Sequence, residues 1–226
     1  MGLPKIGIGI TCCGRPEVEA QTILMISRFL VSAYNYKIVI THDVPPFKGV
    51  ARSKNYCLYH LKNCDFIFLF DDDCFPIRPG WIERILITAE ISGENHFTYC
   101  DPARDNISGS KRYGKKHVAI NSCHRAGAPF MFLTKKVIET VGGFYIGYDR
   151  YGFEHVGYSR RIYAAGLTSN VLVMPEDLSE FLCSRDYEDP NFQSSISQAE
   201  KQRYIDDNRK ILDNDDIEIY RSLLFD

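Results

Sequence analysis

The chain has 226 residues, of which 45% are hydrophobic and 25% are charged, a composition typical of a globular protein with a full core. Its formal net charge of −2 gives no overall reason to bind nucleic acid or an anionic membrane. No apolar run approaches the roughly 20 residues that cross a bilayer, and the N-terminal segment lacks the pattern of a secretion signal. We therefore expect a cytoplasmic protein without a membrane span.

Eight cysteines are spread through the chain, most of them within apolar stretches. None has CxxC spacing or the Cys/His spacing of a zinc site. We expect reduced, buried thiols in place of disulfides or zinc ligands.

The first half of the chain alternates between segments typical of strands and of helices. Short apolar runs predict strands at residues 5–11, 36–41 and 65–70, and apolar residues at helical spacing predict helices at 17–34, 51–62 and 79–92. The third run, DFIFLF, is continuously apolar, as is usual at the centre of a parallel sheet. This order indicates an α/β domain whose ligands bind beyond the carboxyl ends of its strands.

The second half is less regular. It predicts a mobile loop over residues 104–117, strands at 129–133 and 170–174, and helices at 135–141 and 154–165. Ser197 and Glu200 form a capping-box pattern that opens a helix in the tail. We expect a single Rossmann-like α/β domain over residues 1–190, with a mixed and mostly parallel sheet, followed by a C-terminal helical extension over residues 191–226.

Three consecutive carboxylates, Asp71, Asp72 and Asp73 (the acid run), follow the third strand directly. Like charges at this spacing are costly unless a cation lies between them, and oxygen ligands suit Mg²⁺ or Mn²⁺. Asp71 and Asp73 point to the same side of an extended chain, so both can hold one ion. The alternatives are a solvated acidic turn and a phosphatase of the haloacid dehalogenase type. The position after a third, central strand favours a metal that binds a diphosphate.

A second group of polar residues surrounds Glu154 and His155 at the start of a predicted helix. An acid there is favoured by the helix dipole, and either side chain could take a proton from an incoming hydroxyl. The alternative is a helix capped by Glu154, with His155 satisfied inside the protein.

In their order along the chain, these motifs resemble those of the family-2-like GT-A glycosyltransferases. The matching segments cover about residues 5–175 and read GIGITCCGRP, His42-Asp43, GVARSKN, FIFLFDDDCFP, GGF and YGFEHVGYSRRIYAAG. The resemblance implies a GT-A fold and a metal-dependent glycosyltransferase with Mn²⁺ or Mg²⁺. It also implies transfer from a nucleotide-sugar, most of all a UDP-sugar, to a hydroxyl of a saccharide or another glycan.

The resemblance further implies which residues bind the nucleotide. Thr11 and Arg15 would line the nucleotide pocket, with Asp43 near the base or ribose. Arg52 or Asn55 would face the nucleotide or the diphosphate, although Asn55 could equally make a hydrogen bond that stabilises its helix.

At the acid run, the resemblance implies that Asp71 contacts the ribose or the metal, that Asp72 belongs to the same nucleotide site, and that Asp73 is the principal metal ligand. Glu154 or His155 would take the position of the catalytic base. The family commonly has Glu-Asp where this chain has Glu154-His155, so the base and the stereochemistry stay open. We expect inversion, with Glu154 as the base.

The acceptor is not identified by these motifs. The predicted loop carries a basic cluster that could clamp a diphosphate or contact a phosphate backbone, formed by Lys111, Arg112, Lys115 and Lys116. Two other functions therefore stay open: glycosylation of a nucleic-acid base, and a nucleotidyltransferase or a non-catalytic nucleotide-binding protein. The segment TCCGRP has one glycine, whereas a nucleotidyltransferase would carry a glycine-rich phosphate loop at this place.

Overall fold

A five-stranded sheet lies at the centre of the protein in a computed structural model that describes residues 2–46, 48–100, 107–114, 118–148, 150–189, 192 and 196–213. Its strands are β1 (Lys5–Cys12), β2 (Asn35–His42), β3 (Phe66–Asp71), β5 (His96–Thr98) and β8 (Phe130–Thr134). In space their order is β2-β1-β3-β8-β5, and only β8 runs against the other four. The predicted mixed, mostly parallel α/β sheet is thus confirmed.

Helices cover both faces of this sheet. In chain order, the helices of the described residues are α1 (Pro16–Arg28), α2 (Val50–Leu61), α3 (Trp81–Ser92), α4 (Lys135–Val141), α5 (Glu154–Ala164), α6 (Arg185–Glu188) and α7 (Gln198–Asp213). The first five contribute residues to the cores on the two faces of the sheet. Apolar residues of β3 alternate between two cores, with Phe68 and Phe70 packed among residues of α1 and α3, and Ile67 and Leu69 among residues of α2, α4 and α5. None of the helices in the described ranges is long and apolar enough to span a bilayer. None of the eight cysteines, all of which lie in the described ranges, forms a disulfide bond.

Two smaller antiparallel sheets lie beside the central one. One joins β4 (Cys74–Pro76) to β10 (Leu182–Ser184), and the other has the order β6-β7-β9, built from β6 (Ile107–Tyr113), β7 (Val118–Cys123) and β9 (Val173–Pro175). The loop predicted over residues 104–117 is therefore wrong for residues 107–113. The β6 strand is exposed along nearly its whole length, so its sequence has no buried, alternating face that would reveal it.

Of the basic cluster, Lys111 and Arg112 lie on β6, and the Arg112 guanidinium is 3.2 Å from a carboxylate oxygen of Glu176. Lys115 and Lys116 lie outside the described residues.

The C-terminal helix α7 packs onto the segment that leads into α5. The predicted capping box is confirmed, because the Glu200 amide N–H donates to the Ser197 hydroxyl oxygen at 3.3 Å and the Ser197 amide N–H donates to the Glu200 carboxylate at 3.1 Å. The Asn208 amide donates to the carbonyl oxygens of Tyr151 and Gly152 at 2.9 and 3.0 Å. These bonds tie the tail to the loop before α5, while the domain boundary at residue 190 stays a prediction.

A buried histidine in β5 predicts how stability depends on pH. The His96 ring is fully buried; its Nδ1 lies 2.8 Å from the Phe132 carbonyl oxygen, which can only accept, and its Nε2 lies 2.9 Å from the Ser159 hydroxyl. Burial lowers the pKa of His96 to about 4. The neutral ring therefore stabilises the fold fully above pH ~6.5, and this contribution is lost as the pH falls from ~6.5 towards 4.

We expect the free energy of unfolding of the wild type, measured with urea, to fall by up to about 3 kcal/mol between pH ~6.5 and 4 because of His96. The His96→Asn variant keeps an N–H donor for the Phe132 carbonyl but cannot ionise, so its stability should fall less steeply over the same range. Equal slopes in the two proteins would contradict this assignment.

Candidate functional site

A cavity of about 280 Å³ opens at the carboxyl ends of β1, β2 and β3. This is the edge where a largely parallel sheet is expected to bind its ligands. Six of the residues predicted for the nucleotide and metal site line this cavity: Thr11, Arg15, Asp43, Asp71, Asp72 and Asp73. The fold thus brings together residues that lie up to 62 positions apart in the chain.

Within the acid run, Asp72 is bound to the loop between β1 and α1. Its carboxylate forms an ion pair with the Arg15 guanidinium and accepts the Cys13 amide N–H at 3.3 Å. Arg15 also reaches Asp73, with 3.0 Å between Nη2 and Oδ2. Asp72 is only 1% exposed, and these contacts tie it to Arg15 and to the β1–α1 loop.

Asp73 carries an incompletely compensated negative charge. Burial and the neighbouring carboxylates of Asp71 and Asp72 raise its pKa to about 6, although Arg15 acts in the opposite direction. Burial likewise raises the pKa of Asp71. Positive charge placed near these two groups would lower both pKa values and stabilise their ionised forms.

Lys54, which the sequence analysis did not single out, lies behind the acid run. Its ammonium is 3.3 Å from Asp71 Oδ1 and 3.8 Å from Glu154 Oε1, and the residue is only 1% exposed. Burial alone would lower the pKa of Lys54, but Asp71 and Glu154 outweigh burial and raise it. The Thr11 hydroxyl donates to the same Asp71 oxygen at 3.0 Å, so this end of Asp71 is fixed from two sides.

The sequence does contain a signal for Lys54. It falls on the buried stripe of α2 together with Ala51, Leu58 and Leu61, at helical spacing. A lysine in such a stripe is rarely buried unless an acid pairs with it, so its position indicates a buried ion pair.

Glu154 and His155, the predicted catalytic pair, do not line the cavity. His155 Nδ1 lies 3.3 Å from Glu154 Oε1, and His155 Nε2 donates to the Ala126 carbonyl at 2.8 Å. Burial works against the charge on Glu154, but His155 and Lys54 prevail and lower its pKa to about 2. Glu154 is therefore a firmly ionised carboxylate that is already engaged by two protein groups.

Three further predicted residues take different positions. Asp43 lines the cavity, but its two carboxylate oxygens accept the backbone N–H groups of Lys48 and Gly49 at 2.7 and 3.0 Å, which shapes the loop between β2 and α2. The Asn55 amide is bound at both ends by the backbone of Phe144, at 2.8 and 2.7 Å, so the stabilising role is the one seen. Arg52 is exposed on α2 and does not line the cavity.

Several cavity residues were missed by the sequence analysis. They come from the loop before α5, from the end of β10 and α6, and from the tail: Arg150, Tyr151, Ser184, Asp186, Ile196 and Lys201. Arg150 and Lys201 bring positive charge to the cavity. No local motif marks these residues, because they reach the cavity only through contacts between distant segments of the chain.

The residues present fit a divalent cation. Asp71 Oδ2 and Asp73 Oδ1 make no hydrogen bond or ion pair within the part of the chain that the structure describes, since the contacts of these carboxylates use the other oxygen. Carboxylate oxygens are the ligands that Mn²⁺ and Mg²⁺ prefer. Among the described residues, the acid run and Glu154 are four carboxylates that pair with two permanent cations, Arg15 and Lys54, and with the His155 ring.

Comparisons with known proteins identify glycosyltransferases that are similar to this chain. No model of a known protein family matches this chain. The chain is 29% identical over 197 residues to an uncharacterized glycosyltransferase of Acanthamoeba polyphaga mimivirus, covering 74% of this chain and 76% of that protein.

A solved structure shares the fold. It is the mannosyltransferase PcManGT from Pyrobaculum calidifontis in complex with GDP-Man and Mn²⁺, with a TM-score of 0.53 and 9% sequence identity. The match covers 78% of this chain but only 56% of the mannosyltransferase, so this chain spans little more than half of that protein's length. The chain is thus similar in sequence to one glycosyltransferase and has the fold of another.

Proposed function

We propose that this protein is a metal-dependent glycosyltransferase that transfers a sugar from a nucleotide-sugar to a hydroxyl acceptor. The observation that carries the proposal is the cavity at the carboxyl ends of β1–β3, which the acid run lines. Two carboxylate oxygens of the acid run make no hydrogen bond or ion pair with any residue that the structure describes. The likeness to the viral glycosyltransferase and the shared fold of the mannosyltransferase support the same function.

In this proposal, Asp71 Oδ2 and Asp73 Oδ1 hold Mn²⁺ or Mg²⁺. When bound, such an ion offsets the negative charge that develops on a departing nucleoside diphosphate. The protein's own cations, Arg150 and Lys201, line the same cavity and would contact the phosphate oxygens of the donor. Thr11 supports this arrangement because its hydroxyl fixes the other oxygen of Asp71.

The donor is proposed to be a nucleoside diphosphate sugar. The sequence motifs favour a UDP-sugar, whereas the mannosyltransferase with this fold was solved with GDP-Man, so both classes are to be tested. A nucleotidyltransferase is disfavoured by the β1–α1 loop. Its Cys13 amide, which a phosphate-binding loop would offer to a ligand, donates to Asp72 instead.

A saccharide or glycan remains the proposed acceptor, in preference to a nucleic acid. The described part of the basic cluster is the exposed pair Lys111 and Arg112 on β6, and Arg112 already faces the carboxylate of Glu176. The formal net charge of −2 likewise gives the chain no overall attraction to a phosphate backbone.

The role of Glu154 needs a different proposal from the one implied by the resemblance. A general base works best when its pKa lies near the operating pH, and the pKa of Glu154 is about 2. We propose that Glu154 positions Lys54 against Asp71 and does not itself take the proton of the acceptor. Inversion at the transferred sugar stays a prediction from the sequence.

Calorimetry with UDP and GDP tests the metal site. Without Mn²⁺ we expect weak binding, and with Mn²⁺ we expect the Asp73→Asn variant to bind the preferred nucleotide roughly 100-fold more weakly than the wild type, equivalent to about 3 kcal/mol. Asp65→Asn is the matched control, because Asp65 precedes β3 at the end of the strand away from the cavity. Binding that is indifferent to Asp73→Asn would remove the metal assignment.

Transfer itself is tested with a panel of UDP- and GDP-sugars and simple saccharide acceptors, followed by mass spectrometry of the products. We expect release of the nucleoside diphosphate with Mn²⁺ and none after chelation of the metal. Failure of every nucleoside diphosphate to bind, in a folded protein with Mn²⁺ present, would contradict the proposed function.

A further inference from the structure

Three potential metal ligands converge beside the cavity, outside the acid run. Cys12 ends β1, Glu19 lies in the first turn of α1, and His42 ends β2. The sulfur, one carboxylate oxygen and one ring nitrogen all lie within 4.8 Å of one another. His42 Nε2 is 2.9 Å from Glu19 Oε1.

The chemistry of these three groups matches that of a zinc site. Thiolate, imidazole and carboxylate are the three ligand types that Zn²⁺ binds, at about 2.0 to 2.3 Å, so tetrahedral ligand atoms lie roughly 3.5 Å apart. The three ligand atoms lie within 4.8 Å of one another, and His42 Nε2 is 2.9 Å from Glu19 Oε1. Binding an ion therefore requires side-chain adjustments of about an ångström, in which the exposed His42 ring can take part. Cys12 is 1% exposed, whereas the His42 side chain is 52% exposed, so an ion can enter from the His42 side.

We propose that Cys12, Glu19 and His42 bind a zinc ion, with a water molecule as the fourth ligand. The ion would replace the thiol proton of Cys12, which passes to the solvent, and would then be shared by the thiolate, the imidazole and the carboxylate. This site does not depend on the proposed transfer reaction, since none of its three ligands belongs to the acid run.

The two metal sites would be selective for different ions. The acid run offers only oxygen ligands, which suit Mn²⁺ and Mg²⁺, while a thiolate and an imidazole select Zn²⁺ over either. Sequence spacing gives no sign of the zinc site, because its ligands come from three separate elements. Its consequence is structural: a zinc ion would join the ends of β1 and β2 to α1, next to Arg15 and Asp43 of the cavity.

Cobalt substitution provides a direct test on the full chain. Co²⁺ takes the place of Zn²⁺, and a cobalt–thiolate bond produces a charge-transfer band in the near ultraviolet that oxygen ligands do not produce. We expect this band in the wild type, at one Co²⁺ per chain, and its displacement by one equivalent of Zn²⁺. The Cys12→Ser and His42→Ala variants should lose the band or bind at least about 100-fold more weakly.

Two variants serve as controls for the neighbouring site. Cys13→Ser removes the adjacent thiol, which faces Asp72, and Asp73→Asn removes a ligand of the acid run; both should keep the band. Because Cys12 is buried and its replacement can unfold the protein, His42→Ala is decisive, and its circular dichroism and melting temperature establish that it is folded. Zn²⁺ should raise the melting temperature of the wild type but not of His42→Ala. The proposal would be overturned if the wild type shows no cobalt–thiolate band. It would also be overturned if the band survives in His42→Ala or disappears in Cys13→Ser.

Discussion

Replacing Lys54 with methionine is expected to lower the free energy of unfolding by about 3–5 kcal/mol, the usual cost of removing one partner of a buried ion pair. Methionine fills much of the same volume, so the loss reports the missing charge. Lys54 is 1% exposed and lies within 4 Å of carboxylate oxygens of both Asp71 and Glu154. Without its ammonium, the Asp71 and Glu154 carboxylates would keep only the Thr11 hydroxyl and the His155 ring beside them.

Urea unfolding of matched variants measures this effect. Lys136→Met makes the same change on the exposed face of α4 and should alter stability by less than about 0.5 kcal/mol. In the double variant Lys54→Met with Glu154→Gln, one of the two carboxylates has also lost its charge. The two substitutions should therefore be coupled by at least about 1 kcal/mol, with the double variant more stable than the sum of the single effects predicts. A Lys54→Met protein as stable as the Lys136→Met control would exclude the buried ion pair.

Lys54→Met should also impair the proposed reaction. Asp71 Oδ1 would keep the Thr11 hydroxyl but lose the ammonium, so burial would raise the pKa of Asp71 further. A carboxylate that is partly protonated binds a divalent cation less well. We therefore expect weaker Mn²⁺-dependent nucleotide binding in this variant, measured at a temperature where it is folded.

The central architecture could be predicted from the sequence because its signals are local. The run FIFLF is apolar at every position since β3 is buried on both faces, and the periodic apolar residues of α2 and α4 face the cores directly. The acid run directly follows β3, and ligands of such a sheet bind at the carboxyl ends of its strands. The position of Asp71 and Asp73 at the cavity therefore follows from the sequence without tertiary contacts.

The remaining parts depend on contacts between distant segments. The exposed strand β6 owes its existence to pairing with β7, and β4 and β10 are three-residue strands that exist only as partners of each other. Ion pairs between distant segments depend on such contacts as well. Arg15 and Asp72 lie 57 residues apart, so the sequence does not show that they neutralise each other.

The second large effect is expected from the Glu154→Gln variant. This variant tests whether Glu154 is the catalytic base or a residue that positions Lys54. Glutamine resembles a protonated glutamate, and the pKa of Glu154 lies at about 2 instead of its ordinary 4.5. The substitution should therefore cost about 3 kcal/mol of stability near neutral pH. Glu139→Gln, an exposed change on α4, provides the control and should cost less than about 0.5 kcal/mol.

The lowered pKa of Glu154 also predicts how the stability of the protein changes with pH. Because the pKa of Glu154 is lowered by folding, its carboxylate stabilises the protein fully above pH ~4.5, and the contribution is lost as the pH falls from ~4.5 towards 2. The stability difference between wild type and Glu154→Gln should thus be constant near neutral pH and shrink below pH ~4.5. This can be followed by urea unfolding at a series of pH values, with Glu139→Gln as the reference.

Kinetics of the same variant distinguish the two roles of Glu154. Loss of a general base lowers kcat by about 10²–10⁴-fold in a protein of unchanged stability. If Glu154 only holds Lys54 against Asp71, its replacement should instead lower the stability of the protein and weaken metal-dependent nucleotide binding. In that case kcat at saturating donor and Mn²⁺ should fall less than about tenfold. A stable Glu154→Gln protein with kcat reduced more than about 100-fold would restore Glu154 as the base, and the cavity would then have to rearrange on donor binding to expose it.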